Sequence, residues 1–110
     1  MLAKLNRIPR LIFGDVLTSG KRIHGNNSTI VISQSPIFKC SVVVSKKVAK
    51  KAHERNRIKR RLYALVRELI RANSPALALI IMIKPTITNL TKTEFKAILQ
   101  AEIGRALNNR

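Results

Sequence analysis

Apolar residues recur at helical spacing in the stretch RLIFGDVLTSGKR, which begins at Arg10. The apolar positions of this stretch are Leu11, Ile12, Phe13, Val16 and Leu17. Gly20 follows them and is a common signal for the end of a helix. The pattern therefore predicts a short helix at about 9–19.

Two segments rich in β-branched residues come next, and turn residues bound both of them. The stretch GNNSTIVISQSP predicts a strand at Thr29–Ser33, and IFKCSVVVS predicts a second strand at Ile37–Ser45. A hairpin between these two strands is the simplest pairing. A further short strand near Arg22–Gly25 is an additional candidate.

One segment of the chain is apolar without interruption. Every residue from Ala76 to Ile83 is apolar, which is typical of a strand covered on both faces. We predict this strand at Leu77–Lys84. The run is far shorter than the roughly 20 residues that a membrane-spanning helix needs.

The segment between the second and the last of these strands is both basic and amphipathic. It predicts a helix at Lys51–Ala72, which ends ahead of Pro75. At helical spacing one face is an apolar stripe that can dock on a sheet. The residues of this stripe are Ile58, Leu62, Leu65, Val66 and Leu69.

The face of this helix opposite the stripe collects arginines. Between Lys46 and Arg71 there are eleven basic residues, and only Glu54 and Glu68 offset them. An ordinary solvated face mixes both signs of charge, so this pattern favours a surface that binds a polyanion. Arginine suits planar, bidentate contacts with phosphate.

The last segment, TKTEFKAILQAEIGRALNNR, predicts a C-terminal helix. Thr91 and Glu94 have the spacing of a capping box. Apolar residues recur after it at Phe95, Ile98, Leu99, Ile103 and Leu107. The order of elements is α-β-β-α-β-α, which predicts an α+β protein with one mixed sheet of four strands, or of three without the short one. We expect a single domain over residues 1–110, with residues 1–8 as a loosely held basic arm.

The net charge of the chain indicates which kind of partner it binds. The 110 residues carry a net charge of +17, although 45% of them are hydrophobic, so the charge belongs to a folded body rather than to a disordered chain. Self-repulsion of this size favours a polyanionic partner, and phosphate neutralisation releases counterions. An anionic membrane surface is the alternative, but the basic helix lacks Trp and Phe on an exposed apolar face. No signal peptide is recognisable, so we expect a soluble, cytoplasmic protein without a membrane partner.

The residues that commonly carry catalysis are few and scattered. Cys40 stands alone in an apolar run, so it predicts a buried core residue rather than a disulfide or a metal ligand. A general base needs a carboxylate that orients it and a nucleophile nearby, and nothing in the sequence supplies this arrangement for His24 or His53. The five acids are spread singly, which argues against a two-metal nuclease site. We expect no catalytic or metal-binding residue; His53 is a weaker candidate for contact with RNA.

The order of residues adds to what the charge indicates. The segment RNRIKRRL, from Arg55 to Leu62, with VSKK and Ala52 upstream, resembles the signature of the bacterial ribonuclease P protein subunit. Upstream, FGDVLTSGKR matches that family's Phe-x-x-Val-x-x-x-Gly-Lys-Arg pattern. Downstream, a strand ending at Lys84-Pro85 and a threonine-capped helix stand where the family has them. The resemblance covers roughly the whole chain.

This resemblance implies an accessory subunit for a catalytic RNA that removes the 5′ leader of precursor tRNA. The chain itself would be non-catalytic, Mg²⁺ would be bound by the RNA subunit, and no protein partner would be required. The residues assigned to the RNA subunit are Lys46, Lys47, Lys51, Arg55, Asn56, Arg57, Lys59, Arg60, Arg61 and Arg67. The residues assigned to a cleft for the single-stranded leader are Phe13, Leu17, Lys21, Arg22 and Lys84. The resemblance also implies a left-handed β-α-β crossover, whereas about 98% of such crossovers are right-handed.

A structural RNA-binding protein of the ribosomal type is the alternative function. It would share the size, the charge and the docked basic helix. The pattern around Phe13 favours the ribonuclease P interpretation, because a purely structural protein needs no groove for a free single strand. Leu17 stands where the family often has phenylalanine, so electrostatics should contribute more to leader binding here.

Overall fold

The computed structural model describes residues 4–72 and 75–108. Two short 3-10 helices, Lys4–Asn6 and Pro85–Asn89, precede the first and the last α-helix. The α-helices are α1 (Arg10–Ser19), α2 (Ala52–Ala72) and α3 (Lys92–Asn108). The strands are β1 (Lys21–His24), β2 (Ser28–Gln34), β3 (Lys39–Val43) and β4 (Leu77–Ile83). The predicted helices and strands are all present, including the short strand β1.

The four strands form one mixed sheet in the order β1-β2-β4-β3. Strand β2 is antiparallel to both β1 and β4, whereas β3 runs parallel to β4. The predicted α+β class with a single mixed sheet is therefore confirmed, and four is the correct number of strands.

The predicted hairpin between the strand at Thr29–Ser33 and the strand at Ile37–Ser45 is wrong. Strand β4 lies between β2 and β3, and β2 forms its hairpin with β1 instead. The reason is that β4 is apolar on both faces, so it is most stable at an interior position, with a hydrogen-bonded neighbour on each side. The segment from Ser35 to Phe38 accordingly crosses the end of β4 rather than turning back on β2.

The sheet separates two apolar cores. Leu79 and Ile81 of β4 face α2 and α3, where they pack with buried residues of both helices. Ala78 and Ile80 face the other way and pack under α1 with Val16. Because the side chains of a strand alternate between its two faces, this one strand contributes to both cores.

The predicted apolar faces of the two long helices are confirmed. In α2, Leu62, Leu65 and Val66 are buried, and Ile58 and Leu69 pack at the edge of the same core. In α3 the buried residues are Phe95, Leu99, Glu102, Ile103 and Ala106.

The start of α3 and its attachment to the sheet both depend on glutamates. The capping box is present: Thr91 N–H donates to Glu94 Oε1 at 2.9 Å, and Glu94 N–H donates to Thr91 Oγ1 at 3.2 Å. These contacts with Thr91 lower the pKa of the Glu94 carboxyl. Further along, the buried Glu102 Oε1 accepts from Asn27 N–H at 3.1 Å and from the Ser28 hydroxyl at 3.2 Å. Glu102 thereby holds α3 against the turn that joins β1 and β2.

Residues 4–8 of the predicted loose arm are docked on the outer edge of β3; residues 1–3 lie outside the described part. Asn6 Nδ2 donates to Phe38 O at 2.8 Å, and Ile8 N–H donates to Cys40 O at 3.4 Å. An edge strand has unpaired backbone groups, and the arm supplies partners for some of them. Tyr63 of α2 supplies another, because its hydroxyl oxygen accepts from Val42 N–H at 3.1 Å.

Cys40 is a core residue on β3, as its apolar surroundings predict. Its side chain is fully buried, and burial raises the pKa of the thiol to about 12. The thiol therefore stays protonated and poorly nucleophilic at neutral pH.

Strand β3, helix α2 and strand β4 form a parallel β-α-β unit. The left-handed sense of this crossover, which the family resemblance implies, stays a prediction. Among the described residues, none of the helices is both long and apolar enough to cross a membrane.

Gly20, at the C-terminal end of α1, is required by close packing rather than by an unusual backbone angle. Its φ is −74°. A Cβ atom there would overlap Val31 Cγ1 and lie 2.7 Å from the Val16 carbonyl oxygen. Gly14, in the middle of α1, has no atom within 4 Å of the equivalent position.

We predict that Gly20→Ala lowers the free energy of unfolding by about 1–3 kcal/mol, because α1 must move away from β2. Gly14→Ala is the matched control and should raise it by up to about 1 kcal/mol through helix propensity. Urea denaturation measures both. Equal stability of the two variants would contradict the close packing of α1 on β2.

Candidate nucleic-acid interface

The outward face of α2 carries several exposed basic residues. Its apolar stripe packs on the sheet, so the opposite face points to solvent. Four residues assigned to the RNA subunit are exposed there: Asn56, Arg57, Arg60 and Arg67. Within the described residues, none of the arginines of α2 forms an ion pair. The ion pair that involves this helix joins Glu68 to Lys96 of α3 at 3.9 Å. We call these four residues the α2 outward face.

The other lysines and arginines assigned to the RNA subunit surround this face. Lys59 and Arg61 are half-buried at its margins, as the helical spacing predicts. Lys46, Lys47 and Lys51 are exposed in the segment that leads into α2. That segment is ordered by a turn in which Val48 N–H and Ala49 N–H both donate to Ser45 O, at 3.1 and 3.3 Å.

Arg55 differs from the other arginines of the signature. Its side chain is half-buried, and Nη1 donates to Ala49 O at 3.0 Å and to Lys50 O at 2.7 Å. The side chain thus satisfies two carbonyls of the preceding loop and fixes the start of α2 against it. The structure places Arg55 as a positioning residue beside the outward face, whereas the family resemblance had grouped it with the residues that bind the RNA subunit.

A second surface lies on the other side of the sheet, below and beside α1. Phe13 and Leu17 are half-buried there and pack on the small core of Val16, Val31, Ala78 and Ile80. Beyond α1 the same face continues over Val43 and Met82, which are only half-buried. We call this surface the α1-side face; it brings Phe13 and Leu17 together as predicted for the leader cleft.

The three cations assigned to the leader cleft do not all lie on this face. Arg22 is paired with Val31 and so shares the α1-side face. Lys21 is paired with Ile32, whose side chain belongs to the core under α2 and α3. Adjacent residues of a strand point to opposite faces, so Lys21 does not line the cleft.

Lys84 has a structural role at the end of β4. It follows β4 and is half-buried, and its Nζ donates to Gly25 O at 2.6 Å. Its backbone N–H donates to Asn27 O at 3.0 Å. Lys84 therefore joins the end of β4 to the turn between β1 and β2.

Two basic residues that the sequence interpretation missed lie at the β3 edge. Lys39 is paired with Ala78 and thus lies on the α1-side face; the alternation Lys39, Ser41, Val43 against Cys40, Val42 contained this signal. Arg7 is exposed on the arm beside Cys40. It lies near Tyr63: burial raises the pKa of that phenol, and the charge of Arg7 acts in the opposite direction. No local pattern indicated the docking of Arg7.

The histidines are both exposed. His24 Nδ1 lies 3.4 Å from Thr29 Oγ1 at the end of β1, and His53 is in the first turn of α2. In residues 4–72 and 75–108, no three His, Cys, Asp or Glu side chains are grouped as metal ligands.

A long arginine-rich helix on one side of a mixed sheet, and a half-open apolar face on the other, define a small basic α+β nucleic-acid-binding protein. The family model for ribonuclease P matches residues 6–107. The chain belongs to the ribonuclease P protein family, which confirms the resemblance read from the Arg55–Leu62 segment.

Individual relatives agree with this assignment. The ribonuclease P protein component of Phytoplasma australiense is 42% identical over 101 residues, covering 86% of each chain. That of Microcystis aeruginosa is 34% identical over 91 residues and covers 76% of each chain. Among solved structures, a mutant Staphylococcus aureus RNase P protein with defective mRNA degradation activity has a TM-score of 0.83 at 20% identity, over 94% of this chain and 89% of that one. The Thermotoga maritima RNase P protein has a TM-score of 0.72 at 17% identity, over 94% and 96%.

We predict that Arg55→Ala and Arg57→Ala have different effects. Arg55→Ala should lower the free energy of unfolding by about 1–2 kcal/mol, because two carbonyls lose a charged donor. Arg57→Ala should change stability by less than about 0.5 kcal/mol, since the side chain is exposed and unpaired in the described part. Thermal and urea denaturation measure this difference. Two equally stable variants would contradict the positioning role of Arg55.

Proposed function

We propose that the chain is the protein subunit of a ribonucleoprotein endonuclease that removes the 5′ leader from precursor tRNA. The α2 outward face binds the catalytic RNA subunit, and the α1-side face holds the single-stranded leader. The observation that carries the proposal is the separation of these surfaces by the sheet, which lets one small chain contact two RNA segments at once. The family match supports this function over a structural RNA-binding protein.

Phosphate contacts supply most of the affinity for the RNA subunit. The arginines of the α2 outward face are exposed and have no carboxylate partner among the described residues. Each guanidinium can therefore make a bidentate contact with a phosphate without first breaking an ion pair. Every phosphate so neutralised releases counterions, so binding should weaken as salt rises.

The leader is held by a mixture of apolar contact and charge. Single-stranded RNA binds to grooves in which bases stack on apolar or aromatic surfaces while cations follow the backbone. Phe13 and Leu17 offer the apolar surface, and Arg22 and Lys39 lie on the same face of the sheet. Of these four residues, one is aromatic, namely Phe13. This supports a larger electrostatic contribution to the affinity for the leader.

Catalysis in this proposal belongs to the RNA subunit. Three of the five acids of this chain are engaged within the fold: Glu94 and Glu102 make hydrogen bonds, and Glu68 is paired with Lys96. We accordingly propose that Mg²⁺ is bound by the RNA and that this chain positions the substrate. We also propose a cytoplasmic location, where precursor tRNA is present, and no requirement for a further protein.

Reconstitution tests the function directly. We predict that the purified chain, added to a bacterial ribonuclease P RNA and a precursor tRNA, lowers the Mg²⁺ concentration needed for cleavage at the mature 5′ end. The measurement is the fraction of leader released in a Mg²⁺ titration with and without the chain. Identical titration curves would contradict the proposal and favour a structural RNA-binding protein.

We predict that Phe13→Leu reduces the preference of the assembled complex for precursor over mature tRNA. The expected loss is about 1–3 kcal/mol if one base stacks on the ring, and leucine keeps the apolar contact with the core. Phe38→Leu is the matched control, because Phe38 is buried in the core under α2 and α3. Equal weakening of both tRNAs by Phe13→Leu, with folding intact, would contradict the leader-binding role.

A further inference from the structure

A groove runs between α2 and the start of α3; it shares Arg57 with the α2 outward face and has no residue of the α1-side face. It consists of two adjacent depressions of about 340 and 230 Å³. Both are lined by Arg61 and Phe95, so they form one continuous feature. We call it the α2–α3 groove. It follows α2 from Glu54 to Glu68, about 21 Å at 1.5 Å per residue.

The floor of the groove is apolar. In the larger depression the floor is formed by Ala64, Leu65 and Phe95, and in the smaller one by Ile58, Ile87 and Leu90. Phe95 and Leu65 are buried parts of the main core. The groove is thus a place where the packed interior is covered on one side only, and its shape is set by rigid helices.

The rim of the groove is basic. Arg57 and Arg61 of α2 face Lys92 and Lys96 of α3 across it, and the acids on the rim are Glu54 and Glu68. Glu68 is paired with Lys96 at 3.9 Å. The cations that remain offer charge to an anionic ligand while the floor offers apolar contact.

The far wall of the groove is held in place by local structure. The capping box of Thr91 and Glu94 fixes the first turn of α3, which carries Lys92 and Thr93. Ile87, buried at 4% exposure, anchors the 3-10 helix that leads into this turn. Both walls therefore keep their spacing without a ligand, so binding would require little ordering of the protein.

We propose that the α2–α3 groove binds a short unpaired segment of RNA, with bases over the apolar floor and phosphates at Arg57, Arg61 and Lys92. An apolar floor between cationic walls is the arrangement that suits single strands, because the bases of a duplex are already stacked and paired. This inference rests on the proposed function only in that the chain binds RNA. The groove is distinct from the α1-side face, which lies across the sheet.

Groove filling tests the inference. The probe is a short fluorescently labelled oligoadenylate, and its binding to the full chain is followed by fluorescence anisotropy at fixed salt. Ala64→Leu places bulk on the floor without changing charge, and it should weaken binding by roughly tenfold if one stacked base is displaced. Ala97→Leu, at an exposed position of α3 outside the groove, is the matched control and should leave binding unchanged. Equal affinities of the two variants would overturn the proposal.

A second pair of variants keeps the proposal testable if Ala64→Leu perturbs folding. Lys92→Gln and Arg105→Gln each remove one positive charge from α3, but only Lys92 lines the groove; Arg105 is beside the turn between β1 and β2. Lys92→Gln should weaken oligoadenylate binding several-fold more than Arg105→Gln. Equal losses would show non-specific attraction and would overturn the proposal.

Further measurements test where the ligand binds and what kind of ligand it is. Amide chemical shifts of Ala64, Leu65 and Thr93 should move when oligoadenylate is added, and shifts confined to the α1-side face would overturn the assignment. An RNA duplex of equal length should bind the Ala64→Leu and Ala97→Leu variants with equal affinity. An acidic, leucine-containing peptide that bound at these amides in place of oligoadenylate would overturn RNA as the occupant.

The outcomes also separate this inference from the proposed function. Processing of precursor tRNA that is stimulated by a chain whose groove binds no oligoadenylate would refute the groove alone. Groove binding by a chain that does not alter the Mg²⁺ dependence of cleavage would refute the proposed function alone.

Discussion

The central position of β4 is the constraint on which the rest of the structure depends. An uninterrupted apolar strand is stable only where both faces are covered and both edges are paired. Strands β2 and β3 pair with the two edges of β4. Helices α2 and α3 cover one of its faces, and α1 covers the other. In this arrangement β3, α2 and β4 form a parallel unit, and the sheet separates the basic surface of α2 from the face beneath α1.

The distribution of the few acids explains how so basic a chain can fold and still offer free cations. Glu94 caps α3, Glu102 holds α3 to the turn after β1, and Glu68 pairs with Lys96. Each of these carboxylates makes a contact within the fold, and none of these contacts is with an arginine of the α2 outward face. Repulsion among the exposed arginines is screened by water and salt in the free chain, and it is relieved when phosphates bind. The same residues are therefore tolerated in folding and available for binding.

The sequence predicted the elements well because their signals are local. Helical spacing identified the stripe of α2, and the capping box identified the start of α3. Strand pairing was not predictable in this way, since β3 and β4 are joined through a 21-residue helix and no local pattern states which strands are neighbours. The candidate site shows the same division. Helical spacing placed Arg57 and Arg60 correctly on the exposed face. It could not show that Arg55 and Lys84 donate hydrogen bonds to backbone carbonyls outside their own elements. Nor could it show which face of the sheet Lys21 occupies, because that depends on its pairing with β2.

The arm along the β3 edge connects these features. Tyr63 of α2 is hydrogen-bonded directly to the β3 edge, whereas β1 lies at the opposite edge of the sheet. Arg7 stands on this edge near Tyr63, and Lys39 faces the α1 side from the same strand. Docking of residues 4–8 thus does two things at once: it satisfies backbone groups of an exposed strand, and it places the positive charge of Arg7 at the β3 edge.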